Sequence, residues 1–165
     1  MILRSATVED AGALAVVQTR TSQAAYRGIM PQEHLDRLDP DRRRRVWREL
    51  IASDRPPAGT LVLEHPDDGV IGFVTVAVTE APERVGEVRA VYVLPEHWGS
   101  GAGRLLMDAG LRRLGEAGYR EVVLWVLEGN VRARRFYEAG GWRADGASTT
   151  DDSRGVPLVT IRYRR

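Results

Sequence analysis

Val91-Tyr-Val-Leu-Pro-Glu-His-Trp-Gly-Ser-Gly-Ala-Gly-Arg-Leu-Leu-Met107 passes from strand to glycine-rich turn to helix in one run, and the rest of the chain is organised around it. Val91 to Leu94 are β-branched, aromatic or aliphatic, and Pro95 ends the pairing because it has no N–H to donate. Leu105, Leu106, Met107, Leu111 and Leu114 then recur at a helical period. Gly99, Gly101 and Gly103 carry no Cβ, so successive N–H groups there can turn toward one anion, with the positive end of the new helix behind them. A pyrophosphate fits such a cradle. A triphosphate loop of the Walker A kind is excluded, because it ends Gly-Lys-Ser/Thr and this one continues Gly103-Arg104-Leu105. The dinucleotide fingerprint G-x-G-x-x-G fails as well, with Arg104 or Leu106 at its last position.

Composition narrows the chemistry. At 165 residues and 43% hydrophobic content, residues 1–165 are expected to form one domain with a sizeable core. The net charge is +1, with acidic and basic residues interspersed and no basic block alternating with aromatics, so neither nucleic acid nor a membrane is the expected partner. No apolar run is long enough to cross a bilayer and the N-terminus has no signal core, which points to the cytoplasm. Association into a homodimer is left open. Cysteine and lysine are both absent, so disulfides, thiolate metal sites, a cysteine nucleophile and Schiff-base chemistry are excluded, and a general base must be Glu, Asp, His or Tyr. His34, His65 and His97 are scattered, without metal-ligand spacing, and no metal is expected.

Along the chain, Ile2 to Ser5 reads as a first strand, and Thr7 with Asp10 as a capping box before a helix carrying Leu14, Val16 and Val17 to a stop at Gly28. Pro31 opens a short helix with Leu35 and Leu38 inside, and Asp39-Pro-Asp41 opens another. In that helix Arg42 to Arg45 read as a solvated face opposite Val46, Trp47, Leu50 and Ile51. Thr60 to Glu64 and Val70 to Thr79 form a hairpin about the turn Pro66 to Gly69. After Glu80 to Val85, a strand from Gly86 to Leu94 leads into the cradle, with Val88, Ala90 and Tyr92 on one face and Glu87, Arg89, Val91 and Val93 on the other. Gly118 caps the cradle helix, Val122 to Leu127 is a buried strand, Val131 to Ala139 a helix, and two strands close the chain, from Trp142 and over Val156 to Tyr163. A polar loop, Thr149 to Gly155, separates them.

Trp98-x-x-Gly101-x-Gly103 resembles the acyl-CoA pyrophosphate loop Q/R-x-x-G-x-G/A of the GNAT superfamily of N-acetyltransferases, with Trp98 in place of the usual Gln or Arg. Leu124-Trp-Val-Leu-Glu-Gly-Asn130-Val-Arg-Ala-Arg-Arg-Phe-Tyr137-Glu-Ala-Gly-Gly-Trp142 resembles that family's segment in which an Asn and a Tyr flank the cofactor thiol. Asn130 and Tyr137 are seven positions apart, so they share a helix face. The resemblance covers nearly the whole chain. It implies an α/β (α+β) fold, with a mixed, mostly antiparallel central sheet of six to seven strands flanked by four to five helices.

It also implies acetyl-CoA as cosubstrate. Val91 and Val93 would then offer backbone to the pantetheine arm, while Trp98, Gly99, Ser100, Gly101, Ala102, Gly103, Arg104, Asn130 and Arg135 bind the cofactor and Arg104, Arg132 or Arg135 reaches its 3′-phosphate. Asn130 equally suits an N-cap, and the two roles are compatible. Tyr137 matches the family's general acid at the departing thiolate, or is core; Glu87 matches its strand base acting through water, or is a carboxylate paired with Arg89. With no cysteine, direct transfer to an amine is expected, the acceptor being a small molecule or amino acid derivative. Tyr26 lies in one acceptor-wall segment; Asp151 and Asp152, in the other, would attract a cationic amine or form a solvated turn. A peptide or protein N-acetyltransferase and a non-catalytic acyl-CoA-binding domain are the competing readings.

Overall fold

In a computed structural model, which describes residues 1–79 and 82–165, the apolar runs become strands and the helical periods become helices at nearly the expected places. The first half holds β1 (Ile2–Ser5), α1 (Ala11–Ala25), α2 (Gln32–Asp36), α3 (Pro40–Ser53), β2 (Gly59–His65), β3 (Gly69–Val78) and β4 (Gly86–Val93). The second half holds α4 (Ala102–Glu116), β5 (Val122–Leu127), α5 (Val131–Ala139), β6 (Arg143–Asp151) and β7 (Leu158–Arg164). One seven-stranded sheet runs β1-β2-β3-β4-β5-β7-β6, and β4 with β5 is its parallel pair while the other neighbours are antiparallel. The expected link from Glu80 falls partly outside the described residues, at Glu80 and Ala81.

Local chemistry explains the element ends. Asp10 accepts the Thr7 N–H at 2.8 Å, closing the expected capping box, and is clasped by Arg4 at 2.7 and 2.9 Å. That guanidinium holds the Asp10 carboxyl below the usual carboxylate range. Asp39 caps α3 by accepting from the Asp41 N–H at 2.9 Å, with Pro40 in the first turn. Thr149, Thr150 and Asp151, expected in a loop, continue β6, and the hydroxyls of Thr149 and Thr160 meet across the strands at 2.8 Å. In α3 the inner face is Trp47 and Ile51; Val46 and Leu50, expected inside, are exposed, as is Val16 on α1.

One face of the sheet takes α1 and α3, where Trp47 meets the Phe73 ring edge-on at 4.9 Å, and the other takes α4, whose Gly110 lies against Val74 and Val76. Fully buried side chains such as Phe73, Ile71, Leu106, Leu114 and Leu124 tie the layers together, each contributing about 1.5–3 kcal/mol by burial. Among the described residues no helix is long and apolar enough to cross a membrane.

Strand β4 departs from the simple alternation read in the sequence. Its register against β3 shifts between Thr75 and Val76, so that Ala90 faces Thr75 and Val88 faces Val76, leaving Arg89 as an extra residue. This bulge swaps the faces. Glu87, Ala90 and Tyr92 lie opposite Ala77, Thr75 and Phe73, on the α1 and α3 side, while Val88, Val91 and Val93 lie opposite Val76, Val74 and Gly72, on the α4 side. One added residue changes which side of a period-two strand each later residue occupies, and composition alone does not show where that happens.

Candidate functional site

Strands β4 and β5 pair only from Gly86 to Val88 against Val122 to Leu124, although both continue, so the sheet opens beyond that point. The Leu94 N–H is spent on the Ile71 carbonyl at 2.9 Å, and by alternation the backbone groups of Val93 and Val91 face the opening. A cleft of about 710 Å³ occupies it, floored by Val91, Tyr92 and Val93 and walled by α1, α5 and the glycine turn.

Behind the turn, Trp98 does what the motif's first residue does not reveal. Its indole Nε1–H donates to the Val93 carbonyl at 2.7 Å, and the buried Thr21 hydroxyl donates to the same oxygen at 3.0 Å. Of the splayed backbone groups, the Val93 carbonyl is therefore already satisfied, leaving the Val93 N–H and both groups of Val91 for a ligand. The Arg132 guanidinium stands 3.6 Å from the Trp98 ring centroid, and desolvation there lowers its pKa. Trp98 thus lines the cleft as a platform.

Gly99 and Gly101 have φ of +81° and +90°, and a Cβ built on either meets no atom within 4 Å. Both conditions for a close approach of backbone to a ligand are met. Gly103 differs from the expectation: it lies within α4 without positive φ, and its Cβ position is 3.4 Å from the Phe136 ring, so it serves packing between α4 and α5. The N–H groups of Gly103 and Arg104, in the first turn of α4, precede the first intrahelical bond, from Leu105 to Gly101. Arg104 and Arg132 line the cleft there without a carboxylate partner among the described residues. Open space, free donors and unpaired guanidinium groups together fit a pyrophosphate and a further phosphate.

Asn130 lines the cleft and caps α5, its Oδ1 accepting from the Ala133 N–H at 3.2 Å. Two helical turns on, Tyr137 lines it too, set between Phe136, Trp142 and Tyr163 at ring distances of 5.4, 6.3 and 6.3 Å. The helix is anchored by Tyr163, whose hydroxyl donates to Glu138 at 2.6 Å and accepts from Arg134 at 3.1 Å. The Tyr137 hydroxyl has no hydrogen-bond partner among the described residues. Burial first, and then the nearby Tyr92, push its pKa well above the ordinary phenol value. Tyr26, expected at the acceptor wall, is brought within 3.5 Å of the Tyr92 hydroxyl, and it too is pushed up, chiefly by burial.

Other expected residues stand elsewhere. Glu87 does not line the cleft: the bulge puts it on the Tyr92 face, one step beyond Arg89, whose Nε it accepts at 3.5 Å. Ser100, Ala102 and Arg135 do not line it either; the Ser100 hydroxyl turns back to the His97 carbonyl at 2.7 Å, and Ala102 is buried beneath the turn. Asp151 and Asp152 lie outside. Asp151 is occupied by the Ser153 N–H at 2.9 Å and by Arg154 at 2.8 Å, and it is Arg154 that lines the cleft.

Three features were missed. Arg43, expected on a solvated face, is half-buried and lines the cleft, while Arg42, Arg44 and Arg45 are exposed. The signal was available, since Arg43, Trp47 and Ile51 are successive i, i+4 positions on the inner face. Thr21 bonds Val93 across a sequence distance that no motif bridges. His65 and His97, scattered in sequence, meet on one oxygen of Asp68, at 3.1 and 3.2 Å.

Comparison with known proteins agrees with this geometry. The profile of the acetyltransferase (GNAT) family matches residues 23–142. The uncharacterized N-acetyltransferase YuaI of Bacillus subtilis is 28% identical over 139 residues, 83% of this chain and 77% of that protein. The mycothiol acetyltransferase of Streptomyces griseus is 33% identical over 134 residues, which are 81% of this chain but only 39% of that longer protein. In fold, the chain resembles the PaiA N-acetyltransferase of Thermoplasma acidophilum, solved in complex with coenzyme A, at a TM-score of 0.70 and 18% identity, covering 97% of this chain and 96% of that one. With a glycine cradle, an opened parallel strand pair and an Asn–Tyr helix in the family's order, and with the family profile across most of its length, the chain belongs to the acetyltransferase (GNAT) family and is an acetyl-CoA-dependent N-acetyltransferase.

Proposed function

We propose that residues 1–165 act as one domain that transfers the acetyl group of acetyl-CoA directly to the primary amine of a small molecule such as an amino acid derivative. The carrying observation is Tyr137: its phenol lines the cleft beside the β4–β5 opening, with no hydrogen-bond partner among the described residues, and is held protonated across the neutral range. Bound at the cradle, acetyl-CoA supplies an activated thioester carbonyl. Gly99, Gly101 and the first N–H groups of α4 take the pyrophosphate, Arg104 and Arg132 the remaining phosphate charge, and the backbone of Val91 with the Val93 N–H holds the pantetheine arm. Of these groups the Val91 N–H is the one kept for the thioester oxygen, the Val91 carbonyl and Val93 N–H serving the arm, and it stabilises the negative charge that gathers there. As the amine nitrogen bonds to the carbonyl carbon, the carbon–sulfur bond breaks, and the Tyr137 hydroxyl gives its proton to the sulfur. The proton lost by the amine leaves through water toward Glu87 on the acceptor-side face, and the Tyr137 oxygen regains one from water, which restores both groups.

Tyr137→Phe tests this reading. The ring packing is kept, and no hydrogen-bond partner is left behind, so melting temperature and acetyl-CoA affinity should be those of the parent. Turnover of an amine acceptor should fall by about 10²–10⁴. Parent-like turnover, with chemistry shown to limit the rate, would remove Tyr137 from the mechanism.

A further inference from the structure

The charged lining of the cleft is one-sided. Arg43, Arg89, Arg104, Arg132 and Arg154 line it, with His34 and His97, and among the described residues no aspartate or glutamate does. Two of these arginines, Arg104 and Arg132, belong to the cradle, which leaves Arg43, Arg89 and Arg154 to the rest of the lining, which also holds Tyr26, Tyr92 and His34. Arg89 and Arg154 have carboxylate partners, Glu87 at 3.5 Å and Asp151 at 2.8 Å, but both of those carboxylates lie outside the lining. Arg43 has no anionic partner among the described residues, although it is half-buried.

Charge placed this way selects its ligand. An acceptor bearing a second cation would meet like charge with no carboxylate among the described lining residues to receive it, and like-charge juxtaposition is disfavoured strongly where water is thinned. A partly desolvated guanidinium is satisfied by an anion that accepts its forked N–H groups, and a carboxylate has the matching shape. Resting on the transfer reading above, we infer that the acceptor is a carboxylate-bearing amine, an amino acid in the broad sense, whose carboxylate is held by one or more of Arg43, Arg89 and Arg154 while its amine faces Tyr137 and the opening.

The test compares acetylation of an amino acid with that of its carboxamide, which keeps size and amine but lacks the charge, for the parent and for Arg43→Gln, Arg89→Gln and Arg154→Gln. Acetyl-CoA affinity is measured alongside by calorimetry. The parent should prefer the carboxylate, and at least one variant should lose about tenfold to a hundredfold of that preference, mainly through KM, with acetyl-CoA affinity kept. Equal turnover of acid and amide by the parent, or a preference that survives all three substitutions, overturns the inference and leaves the transfer reading standing. Acetyl-CoA binding with no acetylation of any amine in a broad panel overturns the transfer reading itself, and this inference falls with it.

Discussion

Gly101 and Gly103 look interchangeable in the sequence, yet the structure gives their alanine substitutions opposite signs. Gly101 is the residue before α4, at φ +90°, and a Cβ there would meet nothing within 4 Å. The cost of Gly101→Ala is therefore confined to the backbone, where an L-residue in the left-handed region loses about 1–2 kcal/mol. In a chain of 165 residues, each kcal/mol moves the melting temperature by about 2–4 °C, so the variant should melt about 2–8 °C below the parent. Gly103 has helical backbone, and its Cβ would sit 3.4 Å from Phe136, an ordinary contact. Helix propensity favours alanine there by up to about 1 kcal/mol, so Gly103→Ala should melt at the parent's temperature or up to about 4 °C above it. The two methyl groups also differ toward the ligand. The open space beside Gly101 is where a phosphate must approach, so acetyl-CoA at a concentration about 100 times the parent's Kd, which stabilises the parent by about 2.7 kcal/mol, should stabilise Gly101→Ala less. Thermal unfolding with and without acetyl-CoA reads all of this. Equal melting of Gly101→Ala and parent, with equal response to acetyl-CoA, would refute both the left-handed cap and the placement of the pyrophosphate.

Dephospho-CoA should bind more weakly than CoA to the parent, and the gap should narrow in Arg104→Ala or Arg132→Ala but not in Arg135→Ala, which lies outside the cleft; equal affinities at one ionic strength would exclude the phosphate contact. Asp10→Asn should cost about 1–2 kcal/mol at pH 7, because it weakens the capping box and the clasp between buried Asp10 and the partly exposed Arg4. Since the folded pKa of Asp10 is depressed, its contribution is present above the unfolded value of about 3.9 and is lost as pH falls through the folded value, so the gap between parent and variant in urea midpoint should close in acid. A gap that stayed constant from pH 7 into acid would deny the ion pair that role.

What was legible in the sequence was what short-range chemistry specifies. Pro95 and the glycines announce the turn, Asn130 announces an N-cap, and the apolar run Val122 to Leu127 announces a buried strand whose one exposed large side chain, Trp125, lines the cleft with Val126 and Leu127. The features that escaped depend on pairing partners. The bulge at Arg89 is set by the register against β3, and no residue in Gly86 to Val93 marks it. Trp98 breaks the family motif, and only the position of the Val93 carbonyl explains what the indole does there. Glu87 falls on the opposite face from the one expected, because the alternation was counted straight through the bulge.

That misplacement decides how the amine loses its proton. Among the described residues no carboxylate lines the cleft, and Glu87 is held by Arg89, with a side chain only 29% exposed. In the proposed binding mode two other influences bear on the amine: the guanidinium groups of the lining disfavour its charged form, as does the burial seen around Tyr26 and Tyr137, and both would lower its pKa. Much of the activation is then supplied by the cleft's field, and Glu87 serves only as a distant sink reached through water. Glu87→Gln should accordingly reduce turnover less than Tyr137→Phe does, by about tenfold or less against about 10²–10⁴, and its deficit should shrink as pH rises and more amine arrives already neutral. Because Gln keeps the shape, acetyl-CoA affinity should not change. A pH–rate profile of both variants with one amine decides the matter: if Glu87→Gln loses as much as Tyr137→Phe at neutral pH, the carboxylate is the direct base and Arg89 must release it when substrate binds.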